Sequence, residues 1–157
     1  MTDKKAVLVI DPGKISGVAL FWFDEDLAVA TNEMTVADTV QGFEIAARNY
    51  EDLTVVVENY VISQRTVQVA PQCDALDLIG YTKLRAQTLE IPYVLQTPAQ
   101  AKSFATDDKL KALGWYERTT DGHRNDACRH LLVYLVQHEK AYSAEHIIPR
   151  IAKEVLK

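Results

Sequence analysis

The chain has 157 residues, 48% of them hydrophobic and 25% charged, with six Gly and five Pro, a composition that excludes collagen-like, low-complexity and disordered classes. A fold of this size buries roughly 70% of its unfolded surface, so one domain over residues 1–157 is expected without covalent staples. The net charge of −5 is unevenly spread: residues 1–60 carry four basic and eleven acidic side chains, whereas residues 61–157 carry thirteen and eleven. Overall acidity does not advertise a nucleic-acid protein, because counterion release rewards clustered Lys and Arg, but the second half is a basic partner to an acidic first half. Cys73 and Cys128 stand 55 positions apart, which gives neither a disulfide framework nor a C-x-x-C pair. A reducing cytoplasm is the expected setting. No apolar run approaches the roughly 18 residues of a membrane span, and Ala6–Ile10 is too short for a signal-peptide core.

Lys5–Asp11 is a β-branched run stopped by Pro12-Gly13, which predicts a buried strand ending in a turn. Ser16–Phe23 and Leu27–Val36, separated by Asp24-Glu-Asp26, complete an antiparallel meander. Apolar spacings of three and four predict a helix over Asp38–Tyr50, and Leu53–Glu58 is a second β-branched strand followed by a polar loop, Tyr60–Arg65. A long helix over Pro71–Glu90 leads to a short strand, Tyr93–Gln96. Thr97-Pro98 opens a short helix to Phe104, and Thr106-Asp-Asp opens another that stops at Gly114. After the polar stretch 117–122, an apolar stripe through Leu131, Leu132, Leu135 and Val136 predicts an amphipathic helix from His123 to Glu139; Ser143 is expected to cap a last helix that Pro149 interrupts. The order describes an α/β fold, a mixed five-stranded sheet with helices on both faces, whose chemistry gathers at the carboxyl ends of adjacent parallel strands.

Asp11 and Glu58 each close a strand that is otherwise wholly apolar. Asp11-Pro-Gly alone is an ordinary turn, but if the two strands are parallel neighbours their carboxylates converge. On the helix after residue 122, His123, Asp126, Ala127 and His130 share one face at i, i+3, i+4 and i+7. Asp126 singly complements the helix dipole and His123 singly is a cap or loop residue; His130 reads as a surface or core-edge histidine, and Ala127 as a small residue that lets the helix approach a strand. Taken together, Asp11, Glu58, His123 and Asp126 form an oxygen-rich site with one nitrogen donor, suited to Mg²⁺ or Mn²⁺. Two such ions are a known device for phosphodiester hydrolysis, activating water on one side and stabilising the leaving oxygen on the other. For phosphate contacts, Lys14 follows the Asp-Pro-Gly turn, Arg65 lies beyond Glu58, and Arg124 neighbours the metal helix. Trp115-Tyr116 reads as packing.

Asp11-Pro-Gly with Ser16-Gly17, Val55-Val-Val-Glu58, and His123-x-x-Asp126 opening a helix resemble, in order and spacing over nearly the whole chain, the RuvC family of Holliday junction resolvases within the RNase H-like superfamily. The likeness is greatest to the small RuvC-like resolvases of bacteriophages, to which Gln96-Thr-Pro98-x-x-x-Lys102 through Lys109-Leu-Lys111-x-Leu-Gly114-Trp115 is also similar. The resemblance implies an RNase H-like fold and a homodimer that nicks four-way DNA junctions symmetrically, in one hydrolytic step leaving a 5′ phosphate. It implies Mg²⁺ or Mn²⁺ held by Asp11, Glu58, His123 and Asp126. It also matches family basic residues near the substrate to Lys102 and Lys109, beside Lys111. Many members carry Asp where His123 stands, and the family's junction-wedging aromatic has no counterpart at Val61 or Ile62, Tyr60 being the nearest ring. A related nuclease acting on other branched DNA or structured RNA, and a catalytically silent junction binder, are the competing readings. An actin-like nucleotide site would need a second glycine-rich loop, and Gly42, Gly80, Gly114 and Gly122 are isolated.

Overall fold

The computed structural model describes residues 4–23, 26–60, 73–118 and 122–155. Ala6–Asp11 forms β1, buried at every position, because a strand paired on both edges and covered on both faces has no wet side. β2 (Ile15–Trp22) and β3 (Val29–Thr35) fold back as the expected antiparallel meander. β4 (Leu53–Glu58) and β5 (Tyr93–Gln96) add in parallel on the other side of β1. The resulting five-stranded sheet has the order β3-β2-β1-β4-β5. Ile10 lies opposite Val57 and Glu58 opposite Gln96, so Asp11, Glu58 and Gln96 finish three adjacent parallel strands at one rim.

Alternation along the strands splits the core in two. Leu8, Ile10, Val55 and Val57 pack against Phe43 and Ala46 of α1 (Val36–Asn49) and Ala86 of α2 (Cys73–Thr88). Val7, Val9, Phe21 and Val56 pack on the opposite face against α5 (His123–His138), together with residues of α4 (Asp107–Leu113). Helices therefore cover both faces, as the element order predicts. Local chemistry sets the helix ends. Thr35 accepts from the Asp38 amide at the start of α1, and Gln100 Oε1 accepts from the Thr97 amide at the start of α3 (Pro98–Phe104). Gly114, at φ 74°, closes α4. Trp115 is packing: its indole Nε1 donates to the Leu27 carbonyl at 2.9 Å.

Two expectations about the second half are corrected. α5 is not a helix with one apolar stripe: Ala127, Cys128 and every residue from His130 to Leu135 are buried, because the sheet covers one side while α3 and the C-terminal segment pack elsewhere. Ser143 does not cap a helix start: it ends the Lys140–Tyr142 turn, its amide reaching the Lys140 carbonyl, and its Oγ has no hydrogen-bond partner among the described residues. It is buried in a π-helical turn, Ser143–Ile147, between α6 (Lys140–Tyr142) and α7 (Ile148–Val155). Pro149 has no N–H to give, and the backbone just before it widens so that the Ile148 amide reaches the Ser143 carbonyl. α1 starts at Val36 rather than Asp38 because Thr35 supplies the cap. The loop through Arg65 and the first residues of the helix expected from Pro71 lie outside the described residues. Among the described residues no helix is long and apolar enough to cross a membrane.

Candidate metal centre

The turn after β1 is closed by Ser16, whose Oγ accepts from the Gly13 amide and donates to the Gly13 carbonyl, both at 3.3 Å. This fixes how Asp11 leaves the strand. Gly17 pairs with Asp11 across the β1–β2 ladder, and a Cβ placed on Gly17 would fall 1.9 Å from the His123 carbonyl oxygen. Only a hydrogen at position 17 lets the first turn of α5 sit against β2. The close approach expected of Ala127 is thus made by a glycine on the strand, although Ala127 is fully buried as well. Gly122, at φ 77°, launches α5, and its carbonyl takes the Asp126 amide at 3.0 Å.

That approach brings His123 Nδ1 to 3.2 Å from Asp11 Oδ2. The Asp11 carboxyl is pushed up from 3.8 to about 6, chiefly by burial and then by the Glu58 charge, with Asp126 adding to the rise and the His123 hydrogen bond opposing it. Asp11, Glu58, His123 and Asp126 therefore share one electrostatic neighbourhood. Each of the four is engaged by protein: Glu58 by His130, Asp126 by Arg129 at 2.9 Å, and Asp11 and His123 by each other. Among the described residues no three His, Cys, Asp or Glu side chains are gathered at metal-holding spacing. The donor chemistry nonetheless fits a hard divalent cation. Asp11 is buried beside the charges of Glu58 and Asp126, both of which raise its carboxyl further after burial itself, and carboxylate oxygens with one imidazole match Mg²⁺ and Mn²⁺.

Three residues around this centre escape the sequence reading. His130 is fully buried rather than at a surface or core edge; its Nε2 lies 2.6 Å from Glu58 Oε2 and its Nδ1 2.9 Å from Gln96 Oε1. Gln96 is 2% exposed. Arg129 joins Asp126 to Asp107 at the start of α4. The available signals were the i+7 spacing of His130 from His123 and the place of Gln96 at the head of the Gln96-Thr-Pro98 stretch, neither of which names the bond between them.

The basic candidates separate by environment. Lys14 is exposed on the turn beside Asp11, and Lys102 Nζ stands 4.0 Å from Asp126 Oδ2 with most of its side chain in solvent. Arg124 pairs with Glu117 at 2.8 Å, whose carboxyl is held below its ordinary value by the Thr31 hydroxyl and by Arg124. Lys109 turns back to the Phe104 carbonyl at 2.7 Å and lies over the Phe104 ring. Lys111 pairs with Asp108 at 3.3 Å and lies over Tyr116. Arg65 is outside the described residues.

No protein-family model matches the chain, and no curated protein sequence matches it. Among solved structures it is similar to T. thermophilus RuvC in complex with a Holliday junction substrate, at 17% identity and a TM-score of 0.58, over 89% of this chain and 95% of that one. A Thermus thermophilus RuvC structure matches over the same shares at 18% identity and the same TM-score. The yeast mitochondrial Holliday junction resolvase Ydc2 aligns over 94% of this chain and 80% of its own, at 13% identity and a TM-score of 0.46. At these identities the likeness to RuvC is one of fold.

Proposed function

Taking the RuvC-like fold as premise, we propose that this chain is a divalent-cation-dependent endonuclease that resolves four-way DNA junctions by symmetric hydrolysis of two strands. The observation that carries the reading is the buried Asp11 carboxyl, flanked by Glu58 and Asp126 and touched by His123 at the rim where parallel strands end. A scaffold does not gain by crowding carboxylates there; a centre that takes cations does. Asp11, Glu58, His123 and Asp126 would hold Mg²⁺ or Mn²⁺, two ions per site. Bound there, the cations supply an activated water and charge stabilisation of the leaving oxygen. The protein's own part is positional. Asp11 is fixed by the Ser16-closed turn, and the α5 turn bearing His123 and Asp126 is seated by Gly17.

Lys102 and Lys14 are the exposed cations nearest these carboxylates and suit flanking phosphates. Arg124, Lys109, Lys111 and Arg65 complete the proposed DNA-contacting set. A homodimer belongs to the same reading: Leu76 and Leu84 lie exposed on α2 with exposed Gly80 between them, one face at helical spacing that a second copy would cover. A RuvC of this fold has been seen with a Holliday junction substrate, which supports the same substrate here.

The test is cleavage of a labelled four-way junction with Mg²⁺ or Mn²⁺, beside three-way, duplex and RNA–DNA hybrid substrates, with Asp126→Asn as control. Paired symmetric nicks on the four-way junction alone, lost in the variant, are the expected outcome. Equal cutting of all substrates would move the assignment to a less selective nuclease, and retained cutting by Asp126→Asn would remove the proposed centre.

A further inference from the structure

We propose that His130, backed by Gln96, is a positioning residue that holds one oxygen of Glu58 so that the other is presented to the cation; the inference rests on the metal centre proposed above. His130 is 0% exposed on a helix whose next five residues, Leu131 to Leu135, fill the core with apolar bulk apart from one tyrosine hydroxyl. A leucine at 130 would pack there without the cost of burying two polar nitrogens, which is tolerable only when both are bonded. Both are bonded. Nε2 is 2.6 Å from Glu58 Oε2 and Nδ1 is 2.9 Å from Gln96 Oε1. Glu58 and Gln96 are register partners on β4 and β5, so one imidazole spans the ends of two neighbouring strands.

A neutral imidazole has one N–H, so Nε2–H donates to the Glu58 carboxylate when Nδ1 is the acceptor. With the Gln96 amide turned over, its NH₂ donates to Nδ1 and Nε2–H is left for Glu58. With the carbonyl oxygen toward the ring instead, the Gln96 Nε2 atom is buried with no hydrogen-bond partner among the described residues, which favours the turned-over amide. His130 cannot itself ligate, since both nitrogens are occupied and the ring is fully buried. Its effect passes through Glu58, fixing Oε2 and leaving Oε1 as the oxygen that the ring does not engage. Such outer partners of ligating groups typically set metal affinity by 10–100-fold.

The experiment measures Mn²⁺ binding to the full chain by electron paramagnetic resonance without DNA, with thermal melts in EDTA to show that each variant folds. His130→Asn keeps an amide near the Nδ1 position toward Gln96 but does not reach Glu58, whereas His130→Gln carries its NH₂ to about the Nε2 position. Mn²⁺ affinity is expected to fall about 10–100-fold in His130→Asn and to stay within about threefold of wild type in His130→Gln. A folded His130→Asn that binds like wild type, or two variants equally weak, would overturn the positioning role while leaving the metal centre standing. A wild-type chain that binds no Mn²⁺ would overturn the centre and the inference together. If His130→Asn fails to fold, ¹⁵N spectra of the wild-type imidazole decide instead. Mg²⁺ should shift the His130 Nε2 signal saturably, with no shift in Glu58→Gln; an unmoved signal refutes the role.

Discussion

Replacing Asp11 with Asn should make the metal-free protein more stable, not less. Burial and the Glu58 charge carry the Asp11 carboxyl from 3.8 to about 6, a cost to the ionised fold of about 3 kcal/mol at 1.36 kcal/mol per pH unit. Because the folded value is raised, the stability held by protonated Asp11 is complete below pH 3.8, is lost as pH rises to about 6, and is absent above it. Asn is neutral at every pH, so Asp11→Asn should gain about 2 to 3 kcal/mol at pH 8 and nothing at pH 3.5. For a chain of this length that is about 4 to 12 °C in Tm. Circular dichroism melts in EDTA at the two pH values measure it. Saturating Mn²⁺ should raise the Tm of wild type but not of the variant, because only a folded chain with its ligands intact gains binding free energy. A variant no more stable than wild type at pH 8, or equally stabilised at both pH values, would refute the electrostatic reasoning.

Gly17→Ala drives a methyl to 1.9 Å from the His123 carbonyl and should cost at least about 2 kcal/mol in urea unfolding, with Mn²⁺ affinity falling alongside. Leu84→Glu puts a charge on the exposed face of α2 and should turn a dimer into monomers by light scattering while leaving Tm within a few degrees in the dilute chain. Exposed Cys73 should react with a thiol reagent at pH 8 within minutes, whereas Cys128, buried and with its thiol pushed up to about 12, should react only on unfolding. The Arg85 guanidinium, with help from Tyr81, holds Glu44 down to about 2. Its stabilisation is present above pH 4.5 and lost as pH falls toward 2. The pair is partly exposed, so Glu44→Gln should cost no more than about 1 kcal/mol at pH 7 and nothing near pH 2.

The sheet was legible because its strands are separate β-branched runs with turn residues between them, and Asp11 and Glu58 were legible as charges that end those runs. That they converge depends on β1 and β4 being parallel neighbours, which the intervening helix implies through the geometry of a crossover. The start of α5 at His123 was equally plain. Its surroundings were not: apolar periodicity reports one face, and a helix enclosed by a sheet and further helices loses the contrast on which that signal depends. His130 was misplaced for this reason, since its partners come from β4 and β5, 72 and 34 residues away. The π turn before Pro149 left no local signature, because it replaces one backbone bonding pattern with another and leaves side-chain composition unchanged.

The scaffold grips residue 123 by its main chain, through a carbonyl wedged against a strand glycine, while 40% of the imidazole surface remains in solvent. The contact that seats α5 at this point is therefore indifferent to which side chain position 123 carries, whereas a change at Asp11 alters a group that is nearly enclosed.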